Sequence, residues 1–211
     1  MLFVYSTWVP LIVIAVVSLL ITKPANKLYV TYLSLLGLVI SVFTTSIVTD
    51  VLKNSFGRHR PDFLARCMPR ADAPKDVLVY AKDVCTTKNL GRLMDGFRTT
   101  PSGHSSLSFA GLFFLSLWLA GQLAVTRPQA GALRWAVVFL PTLGAALIAL
   151  GRTEDYRHHF VDVLVGSCLG IGFALWSYLR LFPSPSERLS YEPKLLQLDD
   201  SETEYTSVGE V

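Results

Sequence analysis

The chain has 211 residues, of which 51% are hydrophobic and 17% are charged, and its formal net charge is +3. This composition is too apolar for an ordinary soluble domain, and no basic run is long enough to suggest a nucleic-acid-binding arm. We therefore expect a bundle of membrane-spanning helices.

Five apolar stretches follow one another along the chain and predict five transmembrane spans. Most are close to the roughly 20 residues that cross about 30 Å of hydrocarbon, and the fourth is short. Backbone groups in lipid must be hydrogen-bonded within the segment, so we expect an all-α fold with Pro10 and Pro141 packed against neighbouring helices. The predicted spans are residues 2–22, 28–52, 105–125, 135–150 and 160–182.

The two ends of the chain have different expected roles. The first stretch could be a signal peptide, but it has no basic start and runs into KPANK instead of a small-residue cleavage site, so we expect a retained helix. We expect residues 1–182 to form one membrane-embedded domain. Residues 183–211 carry seven acidic residues against two basic ones, which predicts a solvated, mostly disordered cytoplasmic tail.

Counting membrane crossings places three polar segments on one face, and these segments contain all four histidines. They are KNSFGRHRP at 53–61, PSGH at 101–104 and GRTEDYRHHFVD at 151–162, so the loop 53–104 carries two of them. Lys23, Lys27, Arg127 and Arg134 mark the opposite face as cytoplasmic by the positive-inside rule. The motif face is more basic still, which we attribute to anion binding, and we expect it to be non-cytoplasmic.

The first two motifs suit an anion. Lys53 offers a compact charge and Arg60 a planar fork, a pair that fits a phosphate or pyrophosphate, although a lysine at an interface also snorkels. Ser102 and Gly103 could turn backbone N–H groups toward an anion at a helix N-terminus, and His104 could then donate a proton. The alternative for PSGH is a helix cap with an incidental histidine.

The third motif is the most specific. Arg152 lies six residues before His158, and Asp162 lies four residues after it, so on a helix beginning near His158 the carboxylate would stack on the imidazole. Such a carboxylate fixes the tautomer of an activated histidine nucleophile. Asp162 could instead only cap the fifth helix; an aspartate entering an apolar span is costly, which favours function. His59 and His159 have no assigned chemistry.

The cysteines leave one pairing open. Cys67 and Cys85 lie in the loop that carries the first two motifs, and they could form a disulfide if that loop faces an oxidising compartment. Cys168 lies in an apolar run. The sequence does not decide between a bridge and two free thiols.

Together the motifs resemble the three-part signature of the type 2 phosphatidic acid phosphatase superfamily, also called lipid phosphate phosphatases. RPDFLARC, DGFRTTPSGHSS and RTEDYRHHFVDV are similar to the branch that includes fungal diacylglycerol pyrophosphate phosphatases, and the resemblance covers roughly residues 8–182. The family usually has a serine before the third-motif arginine, where this chain has Gly151. The missing hydroxyl contact should reduce activity and not abolish it.

The resemblance implies a membrane hydrolase without a metal or other cofactor. His158, oriented by Asp162, would attack phosphorus, His104 would protonate the leaving oxygen, and water would hydrolyse the phosphohistidine. The residues implied to bind the phosphate are Lys53, Arg60, Arg152, Ser102 and Gly103.

The implied substrates are lipid phosphates within the bilayer, such as phosphatidate or diacylglycerol pyrophosphate. Isoprenoid (dolichyl or polyprenyl) pyrophosphates are the main alternative, and a non-catalytic, truncated lipid-binding relative is another. The family core has six spans, and the first has no counterpart here, so a truncated gene model and a natural short form are both open. The vacuolar, endomembrane and plasma membranes all fit a multi-pass phosphatase, and no nucleic-acid partner is expected.

Overall fold

The computed structural model describes residues 4–22, 26–74 and 77–198, and most of this part of the chain is helical. Five helices are long and apolar enough to cross a membrane, which confirms the predicted five-span, all-α fold. Within the described ranges, the only β-type pairing is an isolated bridge between Pro69 and Cys85. In chain order the helices are α1 (Val4–Ile21), α2 (Lys27–Phe56), α3 (Phe63–Cys67), α4 (Ala81–Val84), α5 (Leu90–Asp95), α6 (Gly103–Gln122), α7 (Ala132–Glu154) and α8 (Phe160–Leu181).

Two spans extend further toward the motif face than the apolar runs predict. Helix α2 continues to Phe56 and ends at Gly57, whose φ of 57° is a left-handed conformation that glycine adopts without a steric penalty. Lys53 therefore lies in the last turn of α2 and not beyond it. Helix α7 continues to Glu154, so its polar last turn lies beyond the apolar run that ends at residue 150.

Helix α6 lies at the centre of the bundle. Of its most apolar 18-residue window, 78% is buried, against 17–39% for the other four spans. Phe114 and Trp118 of α6 are fully buried, and the surrounding helices direct large apolar side chains outward. The other four helices thus present apolar surface to lipid while they enclose α6.

Polar contacts between the helices are buried. The Trp118 indole N–H donates to the Ser34 hydroxyl at 2.8 Å, and the Ser41 hydroxyl donates to the Ala110 carbonyl at 2.8 Å. Such hydrogen bonds join helices in lipid, where the hydrophobic effect does not drive helix association. They hold α2 and α6 in register below the motif face.

Two glycines bring α8 close to the start of α6. A Cβ atom added at Gly166 would lie 2.5 Å from the Ser102 carbonyl oxygen, and one at Gly170 would collide with the Ser106 carbonyl. Small residues allow this backbone approach between membrane helices. The approach brings the PSGH turn against the first turns of α8.

The prolines in the spans are accommodated as expected. Pro141 lies inside α7, and the next backbone amide, of Thr142, donates to the Ser116 hydroxyl of α6 at 3.2 Å. Pro10 is buried where a first π-helical turn of α1 becomes α-helical. Neighbouring side chains pack at both positions.

The segment 183–198 differs from the predicted solvated tail. Ser190 is buried and donates to the Gly121 carbonyl at 3.0 Å, while the Gln122 amide donates to the Tyr191 carbonyl at 3.0 Å. Hydrogen bonds to the C-terminal end of α6 order this segment despite its acidic composition. Residues 199–211 of the expected tail and Lys23, used for the expected orientation, lie outside the described residues.

Candidate active site

Lys53 reaches the PSGH turn from the last turn of α2. A Cβ atom built at Gly103 would lie 3.2 Å from the Lys53 Nζ atom, so a side chain at position 103 would press on the ammonium group. The Gly103 amide belongs to the first turn of α6, where N–H groups have no partner within the helix. A positive side chain and a helix N-terminus therefore lie side by side.

Arg60 follows α2 in the loop, and Asp95 at the end of α5 holds its guanidinium. Arg60 Nε donates to the Asp95 carbonyl oxygen and Nη2 to Oδ1, each at 2.9 Å. The second carboxylate oxygen accepts from Arg66 Nη1 at 2.8 Å, and Arg66 Nε donates to Asp62 at 2.9 Å. A row of alternating arginines and aspartates thus fixes the direction of Arg60.

The charges in this row stabilise one another. Burial raises the pKa of Asp62, but the hydrogen bond and charge of Arg66, together with the charges of Arg157 and Arg60, outweigh that effect and leave the pKa below its usual value. Burial lowers the pKa of Arg60, and the charge of Asp95 opposes the shift. A guanidinium begins from so high a pKa that Arg60 remains a cation at neutral pH.

Ser102 is used inside the fold, which corrects its predicted role in anion binding. Its backbone N–H donates to the Asp162 carbonyl at 2.9 Å, and its hydroxyl accepts from the Ser105 hydroxyl at 3.0 Å as the cap of α6. The side chain is fully buried. The turn therefore offers Gly103, and not Ser102, to an anion.

The third motif folds as a tight connection between α7 and α8. Arg152 is in the last turn of α7, and its Nη2 lies 2.7 Å from Asp155 Oδ2. The Arg152 carbonyl accepts from the amides of Arg157 at 3.1 Å and His158 at 3.2 Å. These bonds turn the chain back so that His158, only 3% exposed, lies beside the end of α7.

The expected stacking of Asp162 directly on His158 is wrong. Helix α8 begins at Phe160 with His159 as its cap, two residues later than the stacking requires. Asp162 therefore points back to the cap, and its Oδ2 accepts from the His159 amide at 2.9 Å. Asp162 therefore caps the N-terminus of α8, which is the alternative role that the sequence left open.

Asp162 is nevertheless linked to His158 by hydrogen bonds through a threonine side chain. Thr99 Oγ1 donates to Asp162 Oδ2 at 2.7 Å and lies 3.2 Å from His158 Nδ1. Thr100 donates to Asp162 Oδ1, and Arg58 Nη1 lies 3.4 Å from the same oxygen. The carboxylate is buried in these contacts.

The pKa of His158 is lowered to about 4. Burial is the main cause, and the positive charges of Arg60 and Lys53 follow in that order. The imidazole is therefore uncharged at neutral pH, the form in which a ring nitrogen has a lone pair available for attack or proton transfer.

A cavity of about 550 Å³ opens between these motifs, which confirms the convergence predicted from crossing parity. It combines three guanidinium groups with two imidazoles, and Lys53 lies beside His104 at the PSGH turn. This set of donors fits a tetrahedral oxyanion. The cavity is lined by Arg60, Asp95, His104, Arg152, Asp155, Arg157 and His158.

No group of three or more histidine, cysteine, aspartate or glutamate side chains is placed to hold a metal ion in the described ranges. His59, which had no assigned chemistry, packs outside the cavity with its ring centroid 4.6 Å from Phe63 and 4.7 Å from Phe97. Cys67 and Cys85 form a disulfide that ties the loop together.

Several residues that orient the site side chains were not predicted from the sequence. Thr99 and Thr100 lie directly before the PSGH motif, but their bonds to Asp162 cross more than 60 positions. Asp95 meets Arg60 across 35 positions. No periodic pattern marks such contacts; the only local signal was the position of the threonines next to a motif.

Comparison with known proteins identifies the family of the chain. The PAP2 superfamily profile matches residues 34–184. The chain is 53% identical over 202 residues to "Diacylglycerol pyrophosphate phosphatase 1" of Saccharomyces cerevisiae, covering 96% of this chain and 69% of that protein. It is 40% identical to "Probable diacylglycerol pyrophosphate phosphatase 1" of Schizosaccharomyces pombe, covering 89% of this chain and 67% of that protein.

A plant relative is more distant. "Lipid phosphate phosphatase 2" of Arabidopsis thaliana is 39% identical over 80% of this chain, which spans 57% of that protein. No solved structure matches the chain significantly. The profile match covers all three motifs, and the five membrane-spanning helices bring those motifs together, so the chain belongs to the PAP2 superfamily.

Proposed function

We propose that this protein is an integral-membrane phosphatase that hydrolyses lipid phosphates through a phosphohistidine, without a divalent metal. Membership of the PAP2 superfamily and the phosphatase names of its relatives support the reaction class. The observation that carries the proposal is the buried, uncharged His158 facing Arg60, Arg152 and His104 across one cavity.

Two displacements complete the proposed reaction. In the first, a nitrogen of His158 attacks phosphorus, the bond from phosphorus to the lipid oxygen breaks, and His104 gives that oxygen a proton. In the second, His104 takes a proton from water, the water oxygen bonds to phosphorus, and the bond to His158 breaks. Inorganic phosphate leaves, and both histidines return to their starting forms.

Fixed cations stabilise the negative charge on the equatorial phosphoryl oxygens in the transition state. Arg60 and Arg152 line the cavity, and Lys53 lies with the Gly103 amide at the start of α6. Preorganised donors of this kind can provide the electrostatic stabilisation that metal ions provide in kinases. Hydrolysis should therefore proceed without Mg²⁺.

The relatives' names and the charge of the site support the substrate class. Two yeast relatives are named for diacylglycerol pyrophosphate, and the cavity adds Arg157 to the signature arginines. A diphosphate or monophosphate headgroup would enter from the interface while its chains remain in the bilayer. We propose diacylglycerol pyrophosphate and phosphatidate as the first substrates to test.

The disulfide supports an orientation in which the active site faces away from the cytoplasm. Cys67 and Cys85 pair in the same loop as the first two motifs, and disulfides persist in oxidising compartments. Protease treatment of sealed vesicles should cleave the loop 68–84 from the lumenal or external side only. Cleavage from the cytoplasmic side would contradict this orientation.

The direct test is phosphate release from each lipid in detergent micelles containing EDTA. The wild-type protein should release phosphate, His158→Ala should not, and His59→Ala should serve as the matched control because His59 packs outside the cavity. Activity that disappears on chelation would contradict the metal-free mechanism. Wild-type activity in His158→Ala would contradict the proposed nucleophile.

A further inference from the structure

Thr99 stands between the proposed nucleophile and the carboxylate that the family signature pairs with it. Its hydroxyl oxygen lies 3.2 Å from His158 Nδ1 and 2.7 Å from Asp162 Oδ2. Thr99 and Asp162 are fully buried and His158 is 3% exposed, so water does not compete for these contacts. The three side chains therefore form a linear hydrogen-bonded chain, shielded from water, beside the cavity.

The protons of this chain can be assigned by counting donors. A threonine hydroxyl has one proton and can also accept. Asp162 receives hydrogen bonds from Thr100 and from the His159 amide as well as from Thr99, so the carboxylate acts as the acceptor throughout. The Thr99 proton is therefore committed to Asp162, and the hydroxyl oxygen can only accept a proton from His158.

We propose that Thr99 is a positioning residue that fixes the neutral imidazole of His158 in the tautomer protonated at Nδ1. This inference rests on the proposed function, in which His158 is the nucleophile. The lone pair is then on Nε2, on the other side of the ring from Thr99, and His158 lines the cavity. Thr99 takes the place that the sequence assigned to a direct contact from Asp162.

The same chain stabilises the phosphorylated state. When Nε2 bonds to phosphorus, the bond from phosphorus to the lipid oxygen breaks, and the ring acquires a positive charge while Nδ1 keeps its proton. That proton remains hydrogen-bonded to Thr99, whose own proton remains on the side of the Asp162 carboxylate. No proton leaves the chain, and the negative charge of Asp162 opposes the positive charge of the ring through Thr99.

Thr100 provides a matched control. It is the next residue, has the same side chain and donates to the same carboxylate, but it bonds Oδ1 and not the oxygen that Thr99 bonds. Thr100→Val therefore removes a hydroxyl from Asp162 while the contact between Thr99 and His158 is retained. Thr99→Val removes the hydroxyl that accepts from His158 and keeps the β-branched shape and the Thr99 backbone, which also hydrogen-bonds to His158.

The test combines nitrogen NMR of histidine-labelled protein with kinetics on phosphatidate. In the wild-type protein at neutral pH, the His158 signals should show a protonated Nδ1 and an unprotonated Nε2, and Thr99→Ser and Thr100→Val should keep this pattern. Thr99→Val should shift population to the other tautomer and lower kcat by about 10-fold, the effect of removing one hydrogen bond from a buried donor. Thr99→Ser should restore kcat to within about 3-fold of wild type, since the hydroxyl returns.

The wild-type spectrum decides the tautomer even if Thr99→Val does not fold. A His158 protonated at Nε2 would overturn the inference, and so would a folded Thr99→Val protein with the wild-type pattern and wild-type kcat. Failure of the proposed function looks different: the wild-type protein would release no phosphate while the NMR pattern still reported the tautomer.

Discussion

Acidification should protonate His158 only near pH 4 and should destabilise the folded protein as it does so. Burial, then the charges of Arg60 and Lys53, lowers the pKa of this imidazole from 6.5 to about 4. At about 1.36 kcal/mol per pKa unit, the shift corresponds to roughly 3 kcal/mol of folding free energy. The folded state binds the proton more weakly than the unfolded chain, so this contribution is fully present above pH 6.5 and is lost as the pH falls toward 4.

The titration can be followed in the NMR spectrum of histidine-labelled protein in micelles, with His158→Ala to assign the signal. The midpoint should lie near 4 in the wild-type protein and should rise in Arg60→Met, which removes the cation with the larger effect on His158. Lys82→Met is the control, because Lys82 lies against Tyr80 in the loop and not among the charges that shift His158. A wild-type midpoint at or above 6.5 would show that burial and these cations do not lower the His158 pKa, and a midpoint unchanged in Arg60→Met would show that Arg60 has no part in the shift.

Three further substitutions test the surroundings of the site. Gly151→Ser should raise kcat/KM by about 2- to 10-fold over wild type and over Gly151→Ala, because a Cβ there meets open space and the hydroxyl adds one hydrogen bond to phosphate. Asp95→Asn should lower kcat/KM about 10-fold by weakening the charge-assisted bonds that hold Arg60. Replacing Cys67 and Cys85 by serine should lower the free energy of unfolding of the loop by about 3 kcal/mol, measured by thermal denaturation, because the bridge closes a loop with a separation of 18 residues.

For each of these substitutions, one outcome would contradict the physical cause given for the expected effect. Equal kcat/KM in the serine and alanine variants at position 151 would show that no hydroxyl contact forms there. Unchanged kinetics in Asp95→Asn would show that Arg60 is directed by other groups. A double serine variant with the thermal stability of the wild-type protein would show that the disulfide does not stabilise the loop.

The membrane fold and the convergence of the motifs could be predicted because both depend on long, regular signals. Apolar runs of span length are read from consecutive residues, and crossing parity then places the motifs on one face. The ends of helices were less predictable: α2 extends to Phe56 and α7 to Glu154, since polar residues can continue a helix beyond its apolar run.

The contacts that orient the site could not be predicted from spacing. Thr99 reaches Asp162 across 63 positions, and Asp95 reaches Arg60 across 35, through a loop whose short helices have no apolar periodicity. The position of Asp162 four residues after His158 suggested a direct contact, but the helix starts too late to form it. Ser102 likewise looked available to an anion until its amide was seen to bond the α8 backbone.

The proposed mechanism requires that His158 becomes covalently phosphorylated during turnover. The most direct measurement mixes the protein rapidly with phosphatidate that carries a radiolabelled phosphate, quenches the reaction in alkali, which preserves phosphohistidine, and locates the label by peptide mapping. We expect label on His158 in the wild-type protein, more of it in His104→Ala if hydrolysis slows more than transfer, and none in His158→Ala. Label on another residue, or phosphate release by His158→Ala at the wild-type rate, would show that His158 is not the nucleophile.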